Sequence, residues 1–212
     1  MKFWQLCSLI LLSFSALASR AQAIQFGIGG KTGLFLAPVA GTGAEFHLSG
    51  DDLLVGLSYM QGTYDAIDLI DDVESTTLKT FNITGSLALA EMRYFFLGPL
   101  NLSLGSGLRN LDVEYVAEDD QNHRLAGTLK TASVVGNIGL GLMGRWDSFY
   151  LGLDLVALTI PTEATTENTI VSNIPASASA LNQLEQDLLQ SGEDLGQAQS
   201  AQVVTLAIGA MF

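Results

Sequence analysis

From Ile24 onward, apolar residues and small or polar residues take turns at every second position, the period of a β-strand rather than of a helix. Eight stretches carry this alternation: "IQFGIGGKTGLFLAP" (24–38), "AEFHLS" (44–49), "LLVGLSYMQGTY" (53–64), "LKTFNITGSLALAEMRYFF" (78–96), "LNLSLGSGLRNLDVEYV" (100–116), "RLAGTLKTASVVGNIGLGLMGRW" (124–146), "FYLGLDLVALTI" (149–160) and "AQVVTLAIGAMF" (201–212). Tight connections at "SGDD", "LGPL" and "WDS" alternate strictly with longer ones at 39–43, 65–76, 117–123 and 161–200. A soluble eight-stranded barrel of lipocalin type has no need of that alternation. A membrane barrel has short periplasmic turns and longer outer loops.

The two faces of the strands agree with a membrane wall. In the sixth stretch Val134, Ile138, Leu140 and Leu142 share the parity of Trp146, while Ser133, Asn137, Gly139, Gly141 and Arg145 take the other. In the seventh, Phe149, Leu151, Leu153 and Leu155 point out, with Gly152 and Asp154 inward. Small residues inside and bulky ones outside invert a soluble barrel. Tyr94, Phe95, Phe96, Trp146, Phe149, Tyr150 and Phe212 gather near the tight turns, as an aromatic girdle does. The fourth and fifth stretches strain the rule, since Glu91 and Arg93 share the register of Leu87 and Leu89, and Asn110 falls out of step with Arg109. Bulges near Ala90 and Asn110 are expected to restore it.

Composition sharpens this picture. Lys2, the apolar run Phe3 to Ala18 and the small-x-small "AQA" at 21–23 predict a secretory signal over 1–23, cleaved to leave a chain starting at Ile24; the apolar run is short for an anchor. The single cysteine, Cys7, lies within it, which excludes disulfides, thiol catalysis and cysteine metal sites from the exported chain. All 22 acidic residues follow residue 23 whereas two of the nine basic ones, Lys2 and Arg20, precede it, leaving a net charge near −15. That charge argues against nucleic acid as a partner. Hydrophobic residues still make up 48% of the chain, yet after residue 23 no stretch offers ~18 uncharged apolar residues for a helical span. A closed barrel is then the remaining way to satisfy every backbone group in lipid.

The chain resembles the small eight-stranded outer-membrane β-barrel proteins of the OmpA/OmpX-like superfamily over 24–212. The resemblance is carried by Phe212 with Ala210, Ile208, Leu206 and Val204 at every second position before it, by the hairpin "EMRYFFLGPLNLSLGSGLR" (91–109), and by the strand count. It implies an all-β, antiparallel, up-and-down transmembrane barrel in the bacterial outer membrane, with outer-membrane lipids around it. It also implies that the terminal strand is the signal read by the barrel-assembly machinery. The second, peptidoglycan-binding domain of the OmpA type has no counterpart after Phe212.

Chemistry is to be sought among inward charges: Lys31, Glu45, His47, Glu91, Arg93, Arg109, Arg145 and Asp154. Both signs are present, so mutual pairing in a narrow lumen is favoured over a one-signed pore, and Glu91 is expected to pair with Arg93 or Arg109. A small gated or cation-preferring channel is the alternative. A lipid-modifying enzyme would need serine, histidine and carboxylate together, but His47 and Ser49 lie near a tight turn and His123 in an outer loop, so no catalytic site, cofactor or metal is assigned. The runs 68–74 and 118–120 lack the spacing and central glycine of an EF-hand loop. They read as solvated loops open to a surface ligand or protein. In the last loop, Leu181, Leu184 and Leu188 share a helical face, with Ser177 or Ser179 to begin the helix and Gly192 to end it. That helix would act as a lid or as a partner site.

Overall fold

The protein is described here by a computed structural model covering residues 24–36, 39–65, 76–119, 124–172 and 192–212, together with Gln186 and Gln190. The signal segment 1–23, the acidic run 68–74, Asp120, His123, Ser177, Ser179 and the leucines at 181, 184 and 188 lie outside the described residues. Eight strands run in order: β1 (Gln25–Leu36), β2 (Val39–Ser49), β3 (Leu53–Asp65), β4 (Thr76–Leu97), β5 (Leu100–Asp119), β6 (Arg124–Arg145), β7 (Phe149–Ser172) and β8 (Ser200–Met211). Each is antiparallel to the next, and β8 pairs with β1, closing the barrel. Among the described residues no helix is long and apolar enough to cross a membrane.

Three strands outrun their sequence signal. β2 begins at Val39, so the expected connection 39–43 is strand, with Gly43 paired to Lys31 and Met60. A Cβ at Gly43 would run into the Tyr59 carbonyl, which is why the stretch is glycine-rich while remaining a strand. β5 continues to Asp119, and β7 continues through "PTEATTENTIVS" to Ser172, paired with β6 from Val135 back to Leu125 with only Thr162 skipped. The ring is therefore lopsided: β4 to β7 have 20 to 24 residues, and the other four strands have 11 to 13. The β4–β5 turn closes through Gly98 at φ 57°, a left-handed backbone that glycine enters without penalty.

The outer wall is a belt of bulky apolar side chains. Ile28, Leu57, Leu104, Leu108, Ile138, Leu151, Leu158, Leu206 and Ile208 are all exposed on it. Water would make such a belt costly, at about 25 cal/mol per Å², whereas lipid is its natural solvent. At the tight-turn end Phe26 stacks on Phe212 at 5.1 Å and Trp146 on Phe149 at 4.5 Å. Tyr94 and Phe96 join this girdle. Phe95 and Tyr150 do not: both are buried in the lumen, where they pack with Leu54, Met143, Ala207 and Met211.

The expected bulges at Ala90 and Asn110 are absent. β4 pairs without interruption from Thr80 to Phe95 against β5, so Leu87, Leu89, Glu91 and Arg93 all point inward together. The lumen accepts those leucines because they join an apolar cluster inside it, with Phe35, Leu36, Val39, Met60, Leu111 and Val135. The register shifts fall elsewhere, including one between Leu140 and Gly141 and another between Val134 and Val135 of β6. At the first, Leu155 is the unpaired residue of β7, so Leu155 and Val156 both face lipid while Asp154 and Ala157 face in.

Candidate functional site: the charged lumen and its outer seal

The lumen is built in tiers. At the periplasmic end Arg145 of β6 lies over the Phe95 ring, 4.1 Å from its centroid. It donates to the Gly50 and Asp51 carbonyls and to Ser49 Oγ, and so fastens the β2–β3 turn across the barrel mouth. Above it sit two rings made possible by glycines of β1. His47 packs edge-on to Tyr150 at 4.6 Å, and a Cβ at Gly27 or Gly29 would strike His47 or Tyr150 respectively.

The charged tier follows. Arg93 of β4 grips Asp154 of β7 with two hydrogen bonds, 2.6 Å to Oδ1 and 3.2 Å to Oδ2, the fork geometry in which guanidinium and carboxylate match. The same guanidinium donates to Glu91 Oε1 at 3.1 Å. Lys31 of β1 lies 3.0 Å from Asp154 and 4.0 Å from Glu91. Two cations and two carboxylates thus cancel, and Lys31, Glu91 and Arg93 are all buried. Glu45 is buried beside this quartet within the fields of Lys31 and Arg93, but its Oε1 accepts no hydrogen bond from the described residues. Among the described residues His47 Nε2 and Thr205 Oγ1 likewise have no hydrogen-bond partner.

Higher again, Asn137, Thr159 and Gln202 form a buried polar cluster. Thr159 and Gln202 each donate to Asn137 Oδ1, at 3.1 Å and 3.2 Å. At the outer mouth the chain turns back inside the wall, where residues 192–197 are helical. Arg109 of β5 holds the end of this segment: it donates to the carbonyls of Gly196 (2.6 Å), Ala198 (2.9 Å) and Leu195 (3.4 Å) and to Ser200 Oγ. Such contacts satisfy the carbonyls a helix leaves open at its C-terminus. Ser133 donates to the Gly196 carbonyl and Thr131 to that of Gly192. Gly192, expected to end the helix, lies within it. Gly192 and Gly196 share a face pressed on β6 and β7, where a Cβ would meet Leu129, Thr131, Ala164 or Thr166.

Of the charges read as inward, Lys31, Glu91, Arg93 and Asp154 come together, with Glu45 alongside. Arg109 and Arg145 stand apart, each serving one mouth. Glu91 pairs with Arg93 and not with Arg109. Ser49 Oγ is held by Arg145 rather than by His47. Among the described residues no group of three or more His, Cys, Asp or Glu side chains is placed to hold a metal ion. Sequence reasoning missed the anchoring roles of Thr131 and Ser133 and the ring pair of His47 and Tyr150. The inward parity of these residues was the available signal.

No family model matches the chain, and no curated protein does. The structure is similar to that of a major outer membrane protein from Thermus thermophilus, at 14% identity and a TM-score of 0.51, covering 90% of this chain and 100% of that one. It also matches Ail, the attachment invasion locus protein of Yersinia pestis, at 8% identity and a TM-score of 0.47, over 91% of this chain and 100% of that one. A third match is CarO of Acinetobacter baumannii, at 13% identity and a TM-score of 0.39, over 90% of this chain and 97% of that one. At these identities the likeness is one of fold, and the first of the three carries it. The expected resemblance to small eight-stranded outer-membrane barrels holds at that level. With its own lipid-facing belt and closed ring, the chain is an outer-membrane β-barrel.

Proposed function

We propose that this outer-membrane barrel is sealed along its axis and acts as a structural or surface-binding protein, through its long β4–β7 ends and acidic outer loops, rather than as an open pore. The quartet of Lys31, Glu91, Arg93 and Asp154 carries this reading, because it ties β1, β4 and β7 together across the lumen with no net charge. Apolar tiers on either side, one around Tyr150 and Met143 and one around Phe35 and Leu87, support it by excluding water from the ion pairs. The test is planar-bilayer recording with the refolded chain. No steady conductance is expected from the wild type, and a reproducible ion-selective current would overturn the reading.

A second reading, a gated channel, has one observation in its favour. The segment 192–200 is tethered at the mouth by side-chain bonds from β5 and β6, which can break without unfolding the ring. Under that reading, removing the tether produces a current, with cation preference from the acidic rim.

A further inference from the structure

We propose that the outer wall from β1 to β5 holds one outer-leaflet lipid: a long acyl chain in an apolar trough, below an uncharged, hydroxyl-rich head such as a sugar. Ala88 and Ala90 of β4 are the trough's floor. Leu57 and Tyr59 of β3, 57% and 45% exposed, and Leu108 of β5, 57% exposed, stand up on either side. The register sets these residues in rows, Tyr59 beside Ala88 beside Leu108 and Leu57 beside Ala90 beside Ser106. The trough, which reaches on to Ile28 of β1 and to Ala44 and Phe46 of β2, has a volume of about 470 Å³. A methylene is close to water in size, so at ~30 Å³ per group that is room for roughly fifteen groups, or one long chain.

Two further observations say what kind of lipid. Ser106 is 8% exposed, lines the trough, and its Oγ has no hydrogen-bond partner among the described residues. It offers a hydrogen bond to an ester or hydroxyl oxygen on the chain. One row further from the periplasm the wall turns polar: Ser86 pairs with Asn110, whose amide donates to the Ser86 hydroxyl at 3.3 Å. There a second pocket of about 380 Å³ is lined by Ser86, Asn110, Asp112, Lys130, Thr165 and Glu167. Asp112, Lys130 and Glu167 lie directly across from one another on β5, β6 and β7. One cation between two carboxylates repels a phosphate head, whereas carboxylates, amide and hydroxyls together suit a ring of hydroxyl groups. The head pocket meets the trough at its β4–β5 edge, where Ser86 and Asn110 stand one row above Ala88 and Leu108, so a tilted lipid would place its head above its chain.

The inference rests on the barrel's place in the membrane and not on the sealed lumen. The full barrel is refolded into nanodiscs made from equal amounts of phosphatidylethanolamine, phosphatidylglycerol and monoglucosyl diacylglycerol, then released and weighed by native mass spectrometry. One retained glucosyl lipid per barrel is expected. Ala90→Trp fills the trough and should lower retention about tenfold, a change of ~1.4 kcal/mol. The pair Asp112→Asn and Glu167→Gln keeps the shape of the head pocket but removes its carboxylates, and it should shift retention toward phosphatidylglycerol. Equal or better retention of phosphatidylglycerol by the wild type, no retained lipid of any class, or Ala90→Trp without effect each overturns the proposal. Bilayer conductance reads the lumen and lipid retention reads the outer wall, so failure of one is distinct from failure of the other.

Discussion

Arg93 and Asp154 join β4 and β7, three strands apart around the ring, through two hydrogen bonds of 2.6 Å and 3.2 Å in the interior of the barrel. Neither strand pairs with the other, so the bond adds a cross-brace to a ring otherwise held by neighbour-to-neighbour ladders. Lys31 extends the brace to β1. The bulge at Leu155 lies immediately beyond Asp154 and returns Ala157 and Thr159 to the lumen.

Removing one arm of this brace leaves a buried charge without its partner. Asp154→Ala is expected to destabilise the folded barrel by roughly 3–5 kcal/mol, the range for a broken buried pair, and by less where water enters. Urea unfolding in detergent, followed by heat-modifiable migration, measures it. The double change with Arg93→Ala should cost less than the two single changes added together. The same cycle between Glu91 and Arg109 should show no coupling; strong coupling there would contradict the geometry.

The tight turns, the order of the strands and the faces of β6 were legible because lipid outside and small residues inside write a parity that survives in the sequence. Leu87 and Leu89 were misjudged because a leucine facing lipid and one facing an apolar lumen are the same letter; only their partners Phe35 and Leu111 tell them apart. The extension of β7 to Ser172 was invisible for a different reason. Beyond Pro161 the outer side faces water instead of lipid, so "TEATTENTIVS" has polar residues on both faces and no alternation to read. Arg109 was legible as inward but its role was not, since its acceptors lie 86 to 91 residues away along the chain.

The glycines of β1 allow a test of how tightly the ring tier is packed. Gly27→Ala should cost about 1–3 kcal/mol, the range for overpacking, because the three atoms nearest the new Cβ all belong to the His47 ring. Trimming that ring in Gly27→Ala/His47→Ser should recover much of the loss. Gly29→Ala should resist rescue by Tyr150→Ala, since its Cβ also meets the Ile208 carbonyl and the Gly209 backbone. Equal rescue at both positions would show that the tier is looser than its contacts indicate.

Phe212 does two separable things. Its ring stacks on Phe26, and its backbone exchanges two hydrogen bonds with Phe26 that close the end of the β1–β8 seam, at 2.9 Å and 3.1 Å. Phe212→Ala removes only the ring, whereas deleting Phe212 removes both. Each should lower outer-membrane levels and leave chain in the periplasm, the deletion more severely. Were the two equal, the ring alone would be the element that assembly reads. Normal levels in both would reject a role for this residue.

Arg109 decides whether the outer mouth is held shut by one side chain. Among the described residues its four acceptors all belong to 195–200 and it joins none of the lumen ion pairs, so Arg109→Ala should leave the ring folded while loosening that segment. Ala164 of β7 lies under Gly196, and the chain has no cysteine beyond Cys7, so Ala164→Cys is a clean reporter. An impermeant thiol reagent added from outside should label it about tenfold faster when Arg109 is alanine, the change expected if ~1.4 kcal/mol of tethering is lost. Arg109→Lys should fall between, because an ammonium keeps the charge but lacks the planar fork that reaches several carbonyls at once. Unchanged labelling would mean that Ser133 and the Gly192–Gly196 face hold the segment without the arginine. Faster labelling with a current would favour the gated channel, since the mouth would then be the only barrier. Faster labelling with no current would locate the seal deeper, at the level where Arg93 meets Asp154.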